Sequence, residues 1–96
     1  MYYLLHYEYV EDIVSKREPY RDQHLRLLNA LQDNDQVILA GAVGNPVTGA
    51  TFVFKVHSED IIQSFVNNDP YVANQLVTEF VIEPWTVVVG SAYQPD

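Results

Sequence analysis

The sequence predicts an α+β protein whose four-stranded antiparallel sheet carries two helices on one face. Two observations lead to this fold class. Segments in which apolar residues occur at every second position alternate with segments in which they recur every three or four positions, and these are the periods of strands and helices respectively. Along the 96 residues the segments follow the order β-α-β-β-α-β, so that a hairpin separates two helical crossovers.

The first half of the chain predicts a strand, a helix and a second strand. Residues 1–10 alternate with a period of two, which is typical of a strand. A helix is predicted from Pro19, which suits a first helical turn, to Asp33, because leucines recur there at helical spacing. Asn34, which tolerates left-handed geometry, is expected to end it. Residues 36–44 are apolar on both faces and predict a buried strand.

The second half predicts the return of a hairpin, a helix and a final strand. Residues 45–49 form a turn cluster, and residues 50–56 follow as the partner strand. Ser58 is placed to cap a second helix, whose first turn is acidic. Residues 77–89 again show a strand pattern. Pro84 within that pattern predicts a strand at a sheet edge, since proline has no backbone N–H to donate to a neighbouring strand.

This order of elements is the ferredoxin-like plan, in which both helices cover the same face of the sheet. The opposite face is then bare, although the middle strands are apolar on both faces. A large exposed apolar face is rare in a monomer, and a second copy related by a two-fold axis can cover it. We therefore expect a homodimer with facing sheets.

Composition narrows the classes of function. The chain has room for one domain, residues 1–96, and its 13 acidic and 5 basic residues give a formal charge of −8. Nucleic acid and anionic membrane surfaces both require clustered cations, so we expect neither partner. The sequence has no cysteine, no signal-like start and no apolar run of membrane-spanning length. We therefore expect a soluble, cytoplasmic protein.

His24 is the first candidate for chemistry, because it lies on the apolar stripe of the first helix that should face the sheet. A buried imidazole needs hydrogen-bond partners for both nitrogens. The alternative to a catalytic role is that His24 is a core histidine whose ring is satisfied by a backbone carbonyl. Arg21, three residues earlier, could hold an anion beside the imidazole or form a surface ion pair. His6 and His57 lack the spacing of metal ligands, and we predict neither a metal nor a cofactor.

Asp69 precedes Pro70, a pair typical of a helix N-cap followed by the first helical residue. The functional alternative is that its carboxylate accepts a hydrogen bond from His24, which would leave the other ring nitrogen free as a base or acid. Both are compatible, since a carboxylate has two oxygens. Three aromatic residues are further candidates for a ligand site, with core or dimer contacts as the alternative. They are Tyr7, Tyr71 and Trp85.

Several short motifs occur in order along the chain. They are Tyr7-Glu8-Tyr9-Val10-Glu11-Asp12, Lys16-Arg17, Arg21-Asp22-Gln23-His24-Leu25, Leu39-Ala40-Gly41, Asn68-Asp69-Pro70-Tyr71-Val72 and Glu83-Pro84-Trp85. With these motifs the chain resembles the YCII-related family of the dimeric α-β barrel superfamily over nearly its whole length. The resemblance implies a ferredoxin-like fold dimerised through its sheets, and an active site whose histidine and aspartate match His24 and Asp69. The chain departs from the family pattern at Asp22, where members often have proline, and at Asn74-Gln75, where they often have a glycine.

The predicted function is that of a small cofactor-independent enzyme, dehydrochlorinase-like or isomerase-like, in which His24 and Asp69 move a proton on a small, aromatic or cyclic substrate. Arg21 would hold a carboxylate or phenolate of that substrate. The dehydrochlorinase-like reaction is implied by the family resemblance, since removal of chloride from a chlorinated hydroxyquinol is the best-understood activity of that family. The alternative is a non-catalytic homodimer that binds a small ligand without turning it over or serves as an accessory protein.

Overall fold

The computed structural model describes residues 1–95. Its strands are β1 (Tyr2–Tyr9), β2 (Val37–Val43), β3 (Gly49–Lys55) and β4 (Val77–Trp85). Its helices are α1 (Ile13–Lys16), α2 (Arg21–Asp33), α3 (Glu59–Asn68) and α4 (Pro70–Ala73), with a 3-10 turn at Glu18–Tyr20. The strands form one antiparallel sheet in the order β2-β3-β1-β4. The predicted α+β class with a four-stranded antiparallel sheet is confirmed.

The core lies between the sheet and the helices, and the two central strands supply most of it. Alternate residues of β1 and β3 point towards the helices and are buried. Leu5 lies opposite Phe52 in the register and both are buried, as is Phe54, which is 0% exposed. Ile62 of α3 belongs to the same buried cluster. Removal of these large apolar side chains from water is the main stabilisation of the fold.

Local signals in the sequence set the ends of the helices. The Ser58 side chain accepts a hydrogen bond from the backbone N–H of Asp60 at 3.1 Å, which is the predicted cap of α3. Pro19 lies in the 3-10 turn, so the α-helix proper begins after that turn, at Arg21. Asp69 ends α3 and also serves as the N-cap of α4. These ends are determined by residues close together in the chain.

Two features between β1 and β2 differ from the predictions. The sequence does not predict α1, which forms where Ile13 packs with Tyr71 and Leu76 in a small second cluster. The residue in left-handed geometry after α2 is Asp35, with φ of 58°, and not Asn34. The side chain of Asn34 instead donates back to a carbonyl of the helix at 3.1 Å.

The two outer strands also differ in part from the predictions. β4 lies at an edge, as predicted, but it ends at Trp85. Residues 86–95 instead fold back over one end of the sheet, where the N–H of Gln94 donates to the hydroxyl of Tyr2 at 2.9 Å.

β2 lies at the other edge and is exposed over most of its length rather than buried. Both sides of the strand contribute to this exposure. Ala40 and Ala42 face the helices but border an open cavity, and Leu39 on the other side is 68% exposed.

The helices in the described part of the chain are not long and apolar enough to cross a membrane. The longest of them, α2, has 13 residues, whereas a membrane-spanning helix needs roughly 20 apolar residues.

Phe54→Ala should lower the free energy of unfolding by about 3 to 5 kcal/mol, because it removes a fully buried ring from a central strand and leaves a cavity. Urea denaturation followed by circular dichroism measures this change. Phe80→Ala is the matched control, since this residue lies on an edge strand and is 38% exposed, and its loss should cost distinctly less. A loss below ~1 kcal/mol for Phe54→Ala would show that β3 is not a central strand.

Candidate active site

A buried carboxylate lies at the centre of the candidate site. Asp69 occupies the junction of α3 and α4 and is 0% exposed. Its backbone is extended, with φ of −72° and ψ of 121°, as is usual for an N-cap. Its Oδ1 accepts a hydrogen bond from the backbone N–H of Tyr71 at 3.0 Å. The carboxylate therefore has the capping contact that the Asp-Pro pair predicts.

Two side chains from distant elements donate to the same carboxylate. Nδ1 of His24 on α2 lies 2.8 Å from Oδ1 of Asp69, and the hydroxyl of Tyr7 on β1 donates to Oδ2 at 2.7 Å. An ionised carboxylate only accepts hydrogen bonds, so Nδ1 is the donor, and Nε2 is the acceptor in the neutral ring. The partners are 45 and 62 residues from Asp69 in the chain, so only the fold brings them together.

Aromatic contacts also hold the imidazole of His24 in place. The ring stacks on that of Tyr71, with 3.8 Å between the centroids and 5° between the planes. Phe52 and Phe65 lie beside it, with ring centroids at 6.3 and 6.1 Å. His24 itself is 5% exposed. The position of the ring is therefore fixed by protein contacts before any ligand binds.

A cavity of about 190 Å³ lies between α2 and the sheet, and His24 and Tyr71 line it. Arg17, Arg21 and Tyr9 also line it, so its polar groups are two guanidinium groups, an imidazole and two phenols. Space remains at this point because facing positions of β2 and β3 carry only methyl side chains. They are Ala40, Ala42 and Ala50.

The pKa values of the three phenols around the carboxylate are raised above that of an ordinary tyrosine. Burial is the main cause that raises the pKa of Tyr7, and the charge of Asp69 and its hydrogen bond add to the effect. Burial also raises the pKa of Tyr9 and the pKa of Tyr71. The charges of Arg17 and Arg21 act in the opposite direction on both, and Arg21 also lowers the pKa of Tyr71 as a nearby hydrogen-bond donor. Each of these hydroxyls is therefore available as a hydrogen-bond donor at neutral pH.

Comparison with known protein families agrees with this architecture. The family model described as the YCII-related domain matches residues 1–86, which include all the strands and helices described above. The chain belongs to the YCII-related family. The resemblance predicted from the short sequence motifs is thereby confirmed.

This YCII-related chain is similar in sequence to one known protein and similar in structure to another. An uncharacterised protein of Haemophilus influenzae is 25% identical over 99 residues, which cover 92% of this chain and 99% of that protein. The structure of 5-chloro-2-hydroxyhydroquinone dehydrochlorinase from Burkholderia phenoliruptrix, in complex with 2,5-dihydroxybenzoquinone, matches with a TM-score of 0.75 at 22% identity, covering 90% of this chain and 94% of that one. At this identity the likeness establishes the fold, and the predicted ferredoxin-like arrangement is confirmed.

Most of the residues that the sequence singles out lie at one place in this YCII-related protein. His24, Arg21 and Tyr71 line the cavity, and Asp69 is hydrogen-bonded to the imidazole from the buried side. Tyr7 differs from the prediction of a substrate contact. Its hydroxyl is bound to the carboxylate, so it holds Asp69 in place and does not line the cavity.

Trp85, by contrast, is not brought to the cavity. It lies on the open face, the side of the sheet opposite the helices, where it pairs with Tyr2 and is 41% exposed. The sheet itself separates this indole from the cavity, because alternate residues of a strand point to opposite faces. His6 also lies on the open face, and His57 is exposed. Within residues 1–95, no three histidine or carboxylate residues come together as metal ligands would.

Arg17 and Tyr9 line the cavity but are not among the predicted site residues. The sequence carries a signal for Tyr9, since it shares the helix-facing side of β1 with Tyr7. Arg17 precedes Arg21 by four positions, which is about one helical turn. That signal is weak because the two arginines do not lie on one continuous helix. Arg17 follows α1, and α1 forms through the burial of Ile13 in the folded protein.

Tyr7 and Tyr9 should remain un-ionised at pH 10.0, the ordinary pKa of a tyrosine, and Tyr71 should ionise at a higher pH than an ordinary tyrosine, because the pKa values of all three are raised in the folded protein. Titration followed by the ultraviolet absorbance of tyrosinate measures this. The folded state retains these protons when the unfolded chain releases them. Stability should therefore be unaffected below about pH 10 and fall as the pH rises above it.

Tyr7→Phe provides the control for this titration. It should remove one late-ionising group and leave the early part of the curve unchanged, since it alters only one of the buried phenols. If all 7 tyrosines ionised together near the ordinary pKa in the folded protein, the burial described for this site would be wrong.

Proposed function

We propose that this chain is a small, cofactor-independent acid–base enzyme in which His24 moves a proton on a small aromatic or cyclic substrate. The observation that supports this most is the 2.8 Å contact between Nδ1 of His24 and Oδ1 of Asp69. With Nδ1 occupied, Nε2 is the ring nitrogen available to a molecule in the cavity. An imidazole oriented by a buried carboxylate is a common arrangement of a general base.

The proposed reaction is a proton transfer in which the electron pair of the broken bond stays on the substrate. Nε2 of His24 takes a proton from a C–H or O–H group of the substrate, and Asp69 stabilises the imidazolium that results. In an elimination, the electron pair left behind forms a double bond while chloride departs with its own bonding pair, so HCl is lost overall. In an isomerisation, the imidazolium returns the proton to a different carbon. A positioned base typically contributes about 10²- to 10⁴-fold to the rate.

The cavity supports a substrate of one oxygenated ring. Its volume of about 190 Å³ is small, since pockets for larger organic ligands are on the order of 300 to 1,000 Å³. Arg21 lines it and would bind a carboxylate or phenolate through its guanidinium. The dehydrochlorinase of similar fold is named for a chlorinated hydroxyhydroquinone, and its structure contains 2,5-dihydroxybenzoquinone. Dehydrochlorination and isomerisation of such rings are therefore the first reactions to test.

A protein that binds a small ligand without turning it over is the alternative. One observation favours it, namely that the contacts of Asp69 are useful to the structure alone. The carboxylate caps α4 and accepts from Tyr7 without any ligand, and His24 packs among aromatic rings as a core residue would. The two functions differ in whether a bound molecule exchanges a proton with the protein.

Exchange of hydrogen for deuterium at carbon separates the two functions. In D₂O the protein should accelerate exchange or chloride release for at least one compound in a panel of small oxygenated rings that includes 5-chloro-2-hydroxyhydroquinone, as followed by NMR. His24→Gln should lower the rate about 10²- to 10⁴-fold, because it removes the base. Asp69→Asn should lower it as well, because the asparagine still caps α4 but does not hold the same tautomer of the imidazole.

Arg26→Gln is the matched control, since Arg26 is exposed on α2 and does not line the cavity. This variant should react as the parent does. Compounds that bind to the parent in calorimetry, but exchange no faster than in buffer alone, would favour the binding protein and count against the enzyme.

We also propose that two copies of the chain associate through their open faces. The open face carries Leu39, Val81 and Trp85, which are 68, 42 and 41% exposed. Leu39 lies on the edge strand β2, and Val81 and Trp85 lie on the edge strand β4. Between them, the central strands present the partly buried Leu4 and Val53. A second copy presents the same apolar surface across a two-fold axis and can remove it from water.

Sedimentation equilibrium at micromolar concentration should therefore give twice the chain mass of 11.0 kDa. Leu39→Lys places a charge on the open face and should shift the protein towards the monomer. Val14→Lys is the control, because Val14 is 47% exposed on α1, outside the sheet, and should leave the mass unchanged. A monodisperse monomer of the parent protein would contradict the association.

A further inference from the structure

Two buried polar atoms at the cavity have no hydrogen-bond partner within residues 1–95. They are Nε of Arg17 and the hydroxyl oxygen of Tyr71. Both residues line the cavity together with His24. Folded proteins leave few buried polar atoms unpaired, because such an atom loses its hydrogen bonds to water without replacement. Two of them at one cavity indicate a partner that comes from outside the chain.

Both atoms require an acceptor. Nε of an arginine carries a hydrogen and only donates. Arg21 lies near enough to the Tyr71 hydroxyl to act on its pKa as a hydrogen-bond donor. An arginine accepts nothing, so the hydrogen of that hydroxyl still lacks an acceptor. The buried carboxylate of Asp69 is already engaged, since it accepts from His24, Tyr7 and the backbone N–H of Tyr71. The missing acceptor therefore comes from outside the chain, either from ordered water or from an oxygen of a bound molecule.

The charge around the cavity favours an anion. Arg17 and Arg21 both line it, in a chain with only 5 basic residues and a net charge of −8. Both guanidinium groups lie near enough to the Tyr71 hydroxyl to lower its pKa against the effect of burial. Long-range repulsion by the acidic surface is screened over roughly 8 to 10 Å at ordinary salt. The two cations therefore decide the local preference for charge.

The fold holds the Tyr71 donor in place and fixes the backbone from which the Arg17 side chain extends. The backbone N–H of Tyr71 is bound to Asp69, and its ring lies face to face with His24 at 3.8 Å between centroids. Arg17 ends α1, where its N–H donates to the carbonyl of Ile13 at 2.8 Å. For Tyr71 little ordering therefore remains to oppose binding, whereas the Arg17 side chain is ordered when it binds.

We propose that Nε of Arg17 and the hydroxyl of Tyr71 form an oxyanion anchor, and that with Arg21 they restrict the ligand to a small organic anion of about one ring bearing a carboxylate or phenolate. Its identification as a substrate rests on the proposed function, whereas the binding does not. The cavity of about 190 Å³ accommodates a ligand of that size. Because the ring of Tyr71 is stacked on the imidazole, the anchor also fixes the ligand relative to His24.

Calorimetric titration of the intact chain with benzoate and its neutral analogue benzamide tests the anchor. Benzoate should bind, and benzamide should bind at least about tenfold more weakly, because hydrogen bonds to an anionic acceptor are the stronger ones. Arg17→Lys keeps the charge but removes the Nε–H, and Tyr71→Phe removes only the hydroxyl. Each should weaken benzoate binding roughly tenfold or more. Arg26→Lys, on the exposed side of α2, is the control and should leave the affinity unchanged.

Three results would overturn the anchor: no binding of benzoate, equal binding of benzamide, or an unchanged benzoate affinity in both Arg17→Lys and Tyr71→Phe. If Tyr71→Phe does not fold, Arg17→Lys decides alone. Inorganic phosphate is the second probe, and tighter binding of phosphate with the same dependence on these residues would show that the organic anion is the wrong class.

Failure of the proposed function would look different from failure of the anchor. Benzoate binding that depends on Arg17 and Tyr71, with no proton exchange in any bound compound of the panel, would leave the anchor in place and remove the enzyme. Proton exchange that depends on His24, with equal affinity for benzoate and benzamide, would do the reverse.

Discussion

The buried carboxylate of Asp69 is the group on which the arrangement of this site depends. It accepts hydrogen bonds from His24 on α2, from Tyr7 on β1 and from the start of α4, so it joins a helix, a central strand and the turn after α3. A buried charge without such donors would be strongly unfavourable, whereas hydrogen bonds to an ionised group are among the stronger ones in proteins. These elements must therefore meet in one register for the carboxylate to be buried at all.

The same carboxylate connects structure with chemistry. Its Oδ1 serves both the cap of α4 and Nδ1 of His24, and the ring that follows the cap, Tyr71, stacks on the imidazole. Contacts present without a ligand thus fix the direction of Nε2, as preorganised proton transfer requires. Room for a ligand has a separate origin, because it comes from the alanines of β2 and β3 that face the helices. The result is a rigid imidazole beside a small cavity with two arginines.

The two faces of the sheet differ in what the chain itself supplies. The helices cover one face. Within residues 1–95 the C-terminal segment contacts one end of the open face, where the N–H of Gln94 donates to the Tyr2 hydroxyl and Lys55 donates to the carbonyl of Gln94. Residues 87–95 lie beyond the part that the YCII-related family model matches. β2 contributes to both faces through alternate residues, with Ala40 at the cavity and the exposed Leu39 on the open face. A second copy on the open face would therefore also support one wall of the cavity.

By itself the sequence determined the order of the four strands and the two long helices, the caps at Ser58 and Asp69, and the edge position of β4. These features depend on periodicity and on residues adjacent in the chain. It also singled out His24 and Asp69, through an apolar stripe and an Asp-Pro pair. Only the tertiary structure decided how other side chains are used: Tyr7 donates to the carboxylate, Trp85 lies on the opposite face, and Arg17 enters the cavity. These outcomes depend on strand register and on packing between residues as many as 62 positions apart, and a local pattern of residues does not specify such contacts.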